Sequence, residues 1–122
     1  MRAILHIGLL VALAGLAAGC GYWRDDENDI LVESENLTPV QNGCVVRGTV
    51  LNKGHHTLRV FIVWRAYDRD DDRIGTADVE IRDLPGGERR DYESTRFRDE
   101  DGDRPRCDEI NRIKRDKTAF RD

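Results

Sequence analysis

The sequence contains little that an enzyme or a nucleic-acid-binding protein needs. It has 20 Lys and Arg residues against 24 Asp and Glu residues, a net charge of −4, and no basic stripe or nucleic-acid-binding motif. No G-x-S-x-G segment occurs, and neither Ser34 nor Ser94 lies in a nucleophile motif. We therefore expect no catalysis, no cofactor and no nucleic-acid partner.

Long apolar segments are also lacking. The longest, from Ala3 to Ala18, is interrupted only by His6 and is shorter than the roughly 20 residues that a membrane-spanning helix needs. Met1 and Arg2 supply a short positive region before it, and small residues follow it. These are the proportions of a signal peptide, so we expect an exported protein.

A cysteine stands where the apolar segment ends. The sequence Leu16-Ala17-Ala18-Gly19-Cys20 resembles the lipobox of bacterial lipoproteins. The resemblance implies a diacylglyceryl group on Cys20, cleavage before it, and residues 1–19 as the signal peptide. Each buried CH₂ contributes about 0.8 kcal/mol, so two or three acyl chains would hold the protein at a lipid bilayer.

The residue after Cys20 indicates to which membrane the protein is sorted. In well-studied Gram-negative bacteria, Asp at this place retains a lipoprotein at the inner membrane, and this chain has Gly21 there. We therefore expect a cell-envelope protein that is lipid-anchored at the outer membrane and faces the periplasm. Residues 20–29 are expected to form a lipidated polar tether.

Only three cysteines are present, and lipidation of Cys20 would leave Cys44 and Cys107. An exported, oxidising compartment favours a disulfide between them. Two free thiols or a metal-binding pair are the alternatives. A disulfide that closes so long a loop would stabilise a small domain by about 4 kcal/mol.

The rest of the chain alternates with period two, which is typical of strands. The segments concerned are DILVES, CVVRGTVLN, LRVFIVWRAYD, IGTADVEIRDL and DYESTRF. In the third, Leu58, Val60, Ile62, Trp64 and Ala66 share one face. The other face is partly apolar, which predicts a central strand that is covered in part on both sides. Gly75 is expected to mark a bulge that resets the register of Ile74. The pattern predicts an all-β fold, a small antiparallel immunoglobulin-like sandwich behind a lipoprotein signal peptide.

The order of these features resembles the FxLYD domain family of small β-sandwich modules. The matching residues are Val46, Gly48, Val50, Asn52, Val60, Ile62, Trp64, Tyr67, Asp68, Ile74-Gly75-Thr76 and Leu84. The correspondence covers about residues 44–97. The resemblance implies a fold, and it implies no reaction, because the family has no known shared catalytic residues.

The C-terminal segment is compatible with either a helical turn or a final strand. Cys107, Ile110 and Ile113 have a spacing that suits a helical turn, whereas a final strand crossing back to Cys44 would also allow the disulfide. We favour the strand. The predicted domain therefore spans 30–114, and residues 115–122 are expected to be a frayed tail.

Two loops and one strand face are candidate binding sites. The D-x-D-x-D spacing occurs twice, at Asp68-Asp70-Asp72 and at Asp99-Asp101-Asp103. Neither loop has the Gly and Glu that an EF-type loop requires, so we predict solvated turns, with Asp68 capping its own, and no metal. Phe61, Val63 and Tyr67 are core packing if strands around DILVES and Cys107 cover them, and otherwise they form a surface for a protein partner.

These observations favour a membrane-anchored, non-catalytic interaction or scaffold module that binds another envelope protein. The alternative is a calcium- or ligand-binding module that uses the acidic loops near Asp68 and Asp99.

Overall fold

The computed structural model describes residues 25–122. Its elements are a single helical turn, α1 (Asp25–Asn28), the strands β1 (Ile30–Val40), β2 (Gly43–Asn52), β3 (Leu58–Tyr67), β4 (Arg73–Leu84) and β5 (Arg89–Glu93), a 3₁₀ turn (Cys107–Glu109), and β6 (Arg112–Arg121). The predicted signal peptide and the first half of the predicted tether, with Cys20, lie outside the described residues.

The strands form two antiparallel sheets of three strands each, in the orders β1-β2-β5 and β4-β3-β6. Their apolar faces pack together, which confirms the predicted small antiparallel β-sandwich. β3 is the central strand of its sheet, as its composition predicts. On one side of the sandwich the segment after β5 joins the sheets, because the Thr95 N–H donates to the Asp78 carbonyl at 2.9 Å.

The core is built on the predicted inward face of β3. Its members, Leu58, Val60, Ile62, Trp64 and Ala66, are fully buried. Cys44, Val46 and Val50 face them from β2 and are buried as well. The alternation of the sequence determined these faces, because successive side chains of a strand point to opposite sides of the sheet.

Two irregularities in pairing change which residues face the core. In β1 the register shifts between Val32 and Ser34, so Val32 packs inward before the shift and Leu37 packs inward after it. In β4 the residue Ile74 has no partner of its own, since Ala66 pairs with Gly75 and Tyr67 pairs with Arg73. A bulge next to Gly75 was predicted, and the structure confirms it.

Gly48 is required by the close approach of β1, β2 and β5. A Cβ atom placed on Gly48 would lie 1.9 Å from the Ser34 carbonyl oxygen and 2.7 Å from the Tyr92 hydroxyl. That hydroxyl donates to the same carbonyl at 2.8 Å. Any side chain at this position would therefore separate the strands or break this hydrogen bond.

The prediction of a frayed tail beyond Lys114 is wrong. β6 continues to Arg121 and pairs with β3 from Tyr67↔Arg112 to Leu58↔Arg121. The segment 107–114 combines both predicted elements, because the 3₁₀ turn holds Cys107 and the strand begins only at Arg112. The charged residues of the tail concealed the strand, since one of its faces is exposed to solvent.

The end of the predicted tether is also ordered. α1 contacts β6, and the Asp26 carboxylate accepts a hydrogen bond from the Arg121 side chain at 3.3 Å. The Asp29 carbonyl accepts from the Lys53 N–H at 2.9 Å. The described fold therefore includes residues 25–29, which the prediction assigned to the tether.

Candidate functional site

The outward side of the β4-β3-β6 sheet, here called the outer face, carries the predicted partner residues Phe61, Val63 and Tyr67. Phe61 and Tyr67 are half-buried, and Val63 is 37 % exposed. Phe61 packs edge-on against Phe120 of β6, with ring centroids 6.1 Å apart. The three side chains lie along one strand, and they remain accessible between charged neighbours.

The expected cover over this face is not seen in residues 25–122. DILVES belongs to β1, which lies in the other sheet, and Cys107 lies in the turn before β6. Within residues 25–122, these two segments therefore do not supply the partial cover that was predicted for the outer side of β3. The half-burial of Phe61 comes instead from neighbours in its own sheet, such as Phe120.

Tyr67 is held by contacts that the sequence did not predict. The Arg112 guanidinium lies over its ring at 4.1 Å from the centroid, a cation–π contact. Arg112 also donates to the Asp71 carboxylate at 2.6 Å. Tyr67↔Arg112 is a cross-strand pair, and such a pair could be found only once the β3–β6 register was known.

The edges of β1 and β6 meet along a polar seam, defined here by Glu35, Arg115, Lys117 and the Ile30 carbonyl. Glu35 binds Arg115, and Lys117 donates to the Ile30 carbonyl. Burial lowers the pKa of Lys117. These side-chain contacts join the two sheets at the β1–β6 side of the sandwich, opposite the side where the Thr95 N–H bonds to the Asp78 carbonyl.

Trp64 connects the core to this seam. Its indole N–H donates to the Glu35 carboxylate at 2.5 Å, and its ring stacks on Tyr92 with centroids 5.5 Å apart. Burial, followed by the charge of Glu35, raises the pKa of Tyr92 to about 12. The sequence pattern did not indicate Glu35, because the β1 bulge changes the face on which this residue lies. The cluster is structural, since each of its polar groups is bonded within the protein.

The two acidic loops lie at the same end of the sandwich. Both contribute to a cavity of about 610 Å³, together with Asp108 and Glu109. In each D-x-D-x-D triad the candidate ligand oxygens lie within 4.8 Å of one another. The sequence placed the triads 31 residues apart and gave no sign that they would be neighbours.

Each acidic loop is organised by the first aspartate of its triad. The Asp68 carboxylate accepts from the N–H groups of Asp70 and Asp72 at 2.9 and 3.0 Å. Asp99 does the same for Asp101 and Asp103 at 2.9 and 2.8 Å. The predicted capping role of Asp68 is confirmed, and one oxygen of each leading carboxylate is occupied by backbone donors.

The structure joins Cys44 and Cys107 in a disulfide, with Cα atoms 5.1 Å apart and 63 positions between them in sequence. The predicted pairing is therefore present. Cys44 is fully buried in β2, and Cys107 is half-buried in the 3₁₀ turn. The bridge ties the segment before β6 to the opposite sheet, near the acidic end of the sandwich.

Comparisons with models of known protein families, with curated proteins and with solved structures found no match. Within residues 25–122, no helix has the length and apolar character needed to cross a membrane.

Proposed function

We propose that this chain is a lipid-anchored protein of the cell envelope, attached to the bilayer through Cys20. Its β-sandwich, which resembles the FxLYD domain, acts as a non-catalytic interaction or scaffold module for another envelope protein. The membrane proposed is the outer membrane, with the domain in the periplasm.

One observation carries the proposal: the Cys44–Cys107 disulfide leaves Cys20 as the remaining cysteine. Disulfides of this kind persist in oxidising compartments, which supports export. Cys20 stands at the end of an apolar segment, where the lipobox resemblance assigns it to lipid attachment. The disulfide between Cys44 and Cys107 and the position of Cys20 thus support the same cellular location by separate arguments.

The lipid anchor is tested by replacing Cys20. Cys20→Ala is expected to remain unprocessed or to leave the membrane fraction, because the acceptor sulfur of the acyl groups is lost. The measurement is the distribution of the protein between membrane and soluble fractions, with the intact mass of its N-terminal peptide. Retention at the wild-type level, with residues 1–19 removed, would argue against the anchor.

The partner surface is proposed to be the outer face around Phe61, Val63 and Tyr67. A photo-crosslinking amino acid at Val63 should give a discrete adduct with an envelope protein in intact cells. The matched control is Asp91, which is exposed on β5 in the other sheet. Equal adducts at both positions, or none at Val63, would remove this surface from the proposal.

The second candidate function is calcium or ligand binding by the acidic loops. It is favoured by the position of both aspartate triads beside one cavity. A ligand bound only by the folded state raises the melting temperature. The leading proposal expects millimolar calcium to leave the melting temperature unchanged. A rise that a chelator reverses and that Asp70→Asn abolishes would instead establish the second candidate.

A further inference from the structure

The described chain enters the sandwich at one end, here called the entry end. The entry end comprises α1, the β2–β3 turn with Lys53, and the C-terminal end of β6 with Phe120. Asp26 is bonded to Arg121, and the Asp29 carbonyl is bonded to the Lys53 N–H. The acidic loops lie at the opposite end, about 33 Å away along the ten residues of β3.

The exposed apolar side chains are concentrated at the entry end. Three large apolar residues in the described part of the chain are well exposed, and two of them, Phe120 at 56 % and Leu31 at 45 %, lie here. They stand on β6 and β1, the two strands that α1 contacts. The third, Val63, lies about 13 Å farther along the sheet, four residues beyond the partner of Phe120 in β3.

The length of the chain before the domain limits how far this end can be from a membrane. Four residues, 21–24, lie between Cys20 and Asp25, so a fully extended chain spans at most about 18 Å from one to the other. A lipid-attached Cys20 would therefore keep the entry end close to the headgroups, while the acidic loops could stand much farther away.

The charges of the two ends favour the same orientation. Segments 68–72 and 99–109 at the opposite end contain ten carboxylates and three arginines, whereas segments 25–29, 53–57 and 119–122 at the entry end contain five carboxylates, Lys53 and Arg121. Anionic lipids therefore repel the acidic loops more strongly than the entry end, where Lys53 can meet lipid phosphate, and the effect extends over roughly 10 Å at physiological salt.

We propose that the entry end is a bilayer-contact surface, where Phe120 and Leu31 enter the headgroup region and Lys53 meets lipid phosphate. This inference rests on the proposed lipid attachment at Cys20. Exposed aromatic and aliphatic side chains gain free energy there, because this region accepts apolar rings beside polar groups. The sandwich then stands on the membrane with its acidic loops directed away from it.

The test uses the acylated full-length mature protein in vesicles of phosphatidylcholine and phosphatidylglycerol, with bromine on the acyl chains near the headgroups. F120W places a fluorescent probe at the entry end, and V63W is the matched control on the same face. Both carry W23F to remove the tether signal, whereas the buried Trp64 contributes a constant background. We expect brominated lipid to quench F120W at least twofold more strongly than V63W.

Equal quenching of the two variants would overturn the inference and would indicate that Phe120 faces solvent or a protein. L31W provides a second probe if F120W fails to fold, as judged by circular dichroism, and it should be quenched to a similar extent. The mass of the N-terminal peptide tests lipid attachment at Cys20 separately from contact of the entry end with the bilayer. Absence of acyl groups refutes the anchor, whereas acylated protein with equal quenching refutes only the bilayer contact.

Discussion

Trp64→Ala is expected to destabilise the domain by about 3–5 kcal/mol. The ring is fully buried and stacks on Tyr92, and its N–H is bonded to Glu35. Truncation to alanine would leave a cavity between the sheets. It would also remove the indole N–H that donates to the Glu35 carboxylate at the polar seam. Since small domains have only about 5–15 kcal/mol of stability, a large part of that stability would be lost.

Urea unfolding followed by far-ultraviolet circular dichroism measures this loss. Trp64→Phe is the informative companion, because it retains an aromatic ring over Tyr92 and removes only the indole donor to Glu35. Its cost should be smaller, about 1–3 kcal/mol. Val63→Ala, the next residue on the opposite face, should change stability by about 0.5 kcal/mol or less. A Trp64→Ala variant as stable as Val63→Ala would contradict the described core.

Loss of the disulfide is the second large effect. Replacing Cys44 and Cys107 together with alanine should cost about 4 kcal/mol, because the unfolded chain regains the entropy of a long loop. For a domain of about 100 residues, this corresponds to a fall in melting temperature of roughly 20 °C. Thermal melting with and without a reductant provides the measurement.

The single variants refine this prediction. Cys44→Ser should be more destabilising than Cys107→Ser, since Cys44 is fully buried and a hydroxyl there would need a new hydrogen bond. Reduction of the wild type should lower its melting temperature to about that of the double alanine variant, and reductant should leave the variant unchanged. If reductant leaves the wild type unchanged as well, the bridge does not stabilise the fold.

The inward faces of the strands could be predicted because they depend on local alternation. The alternating residues of β3 from Leu58 to Ala66 are all buried, as their period of two predicts. Cys44, Val46 and Val50 alternate in the same way in β2 and are buried as well. The turn at Asp68 was predictable for a similar reason, since a short carboxylate bonds to backbone groups a few residues away.

Predictions that required knowledge of distant neighbours were less successful. β6 looked like a frayed charged tail because its exposed face is polar, yet it pairs with β3 along its whole length. No local pattern singled out Glu35, whereas a bulge in β1 directs it toward the Trp64 indole. The expected cover over Phe61 and Val63 failed because DILVES pairs within the other sheet.

By itself, the sequence determined the all-β class, the side of each main strand that is buried, and the pair of cysteines available for a disulfide, because alternation and composition are local properties. Only the tertiary structure decided that the two acidic loops share one end, that Phe120 and Leu31 lie beside the point of entry, and that the outer face of β3 has no further layer within residues 25–122. Those facts depend on strand order and register, which are fixed by cooperative packing of residues far apart in the chain.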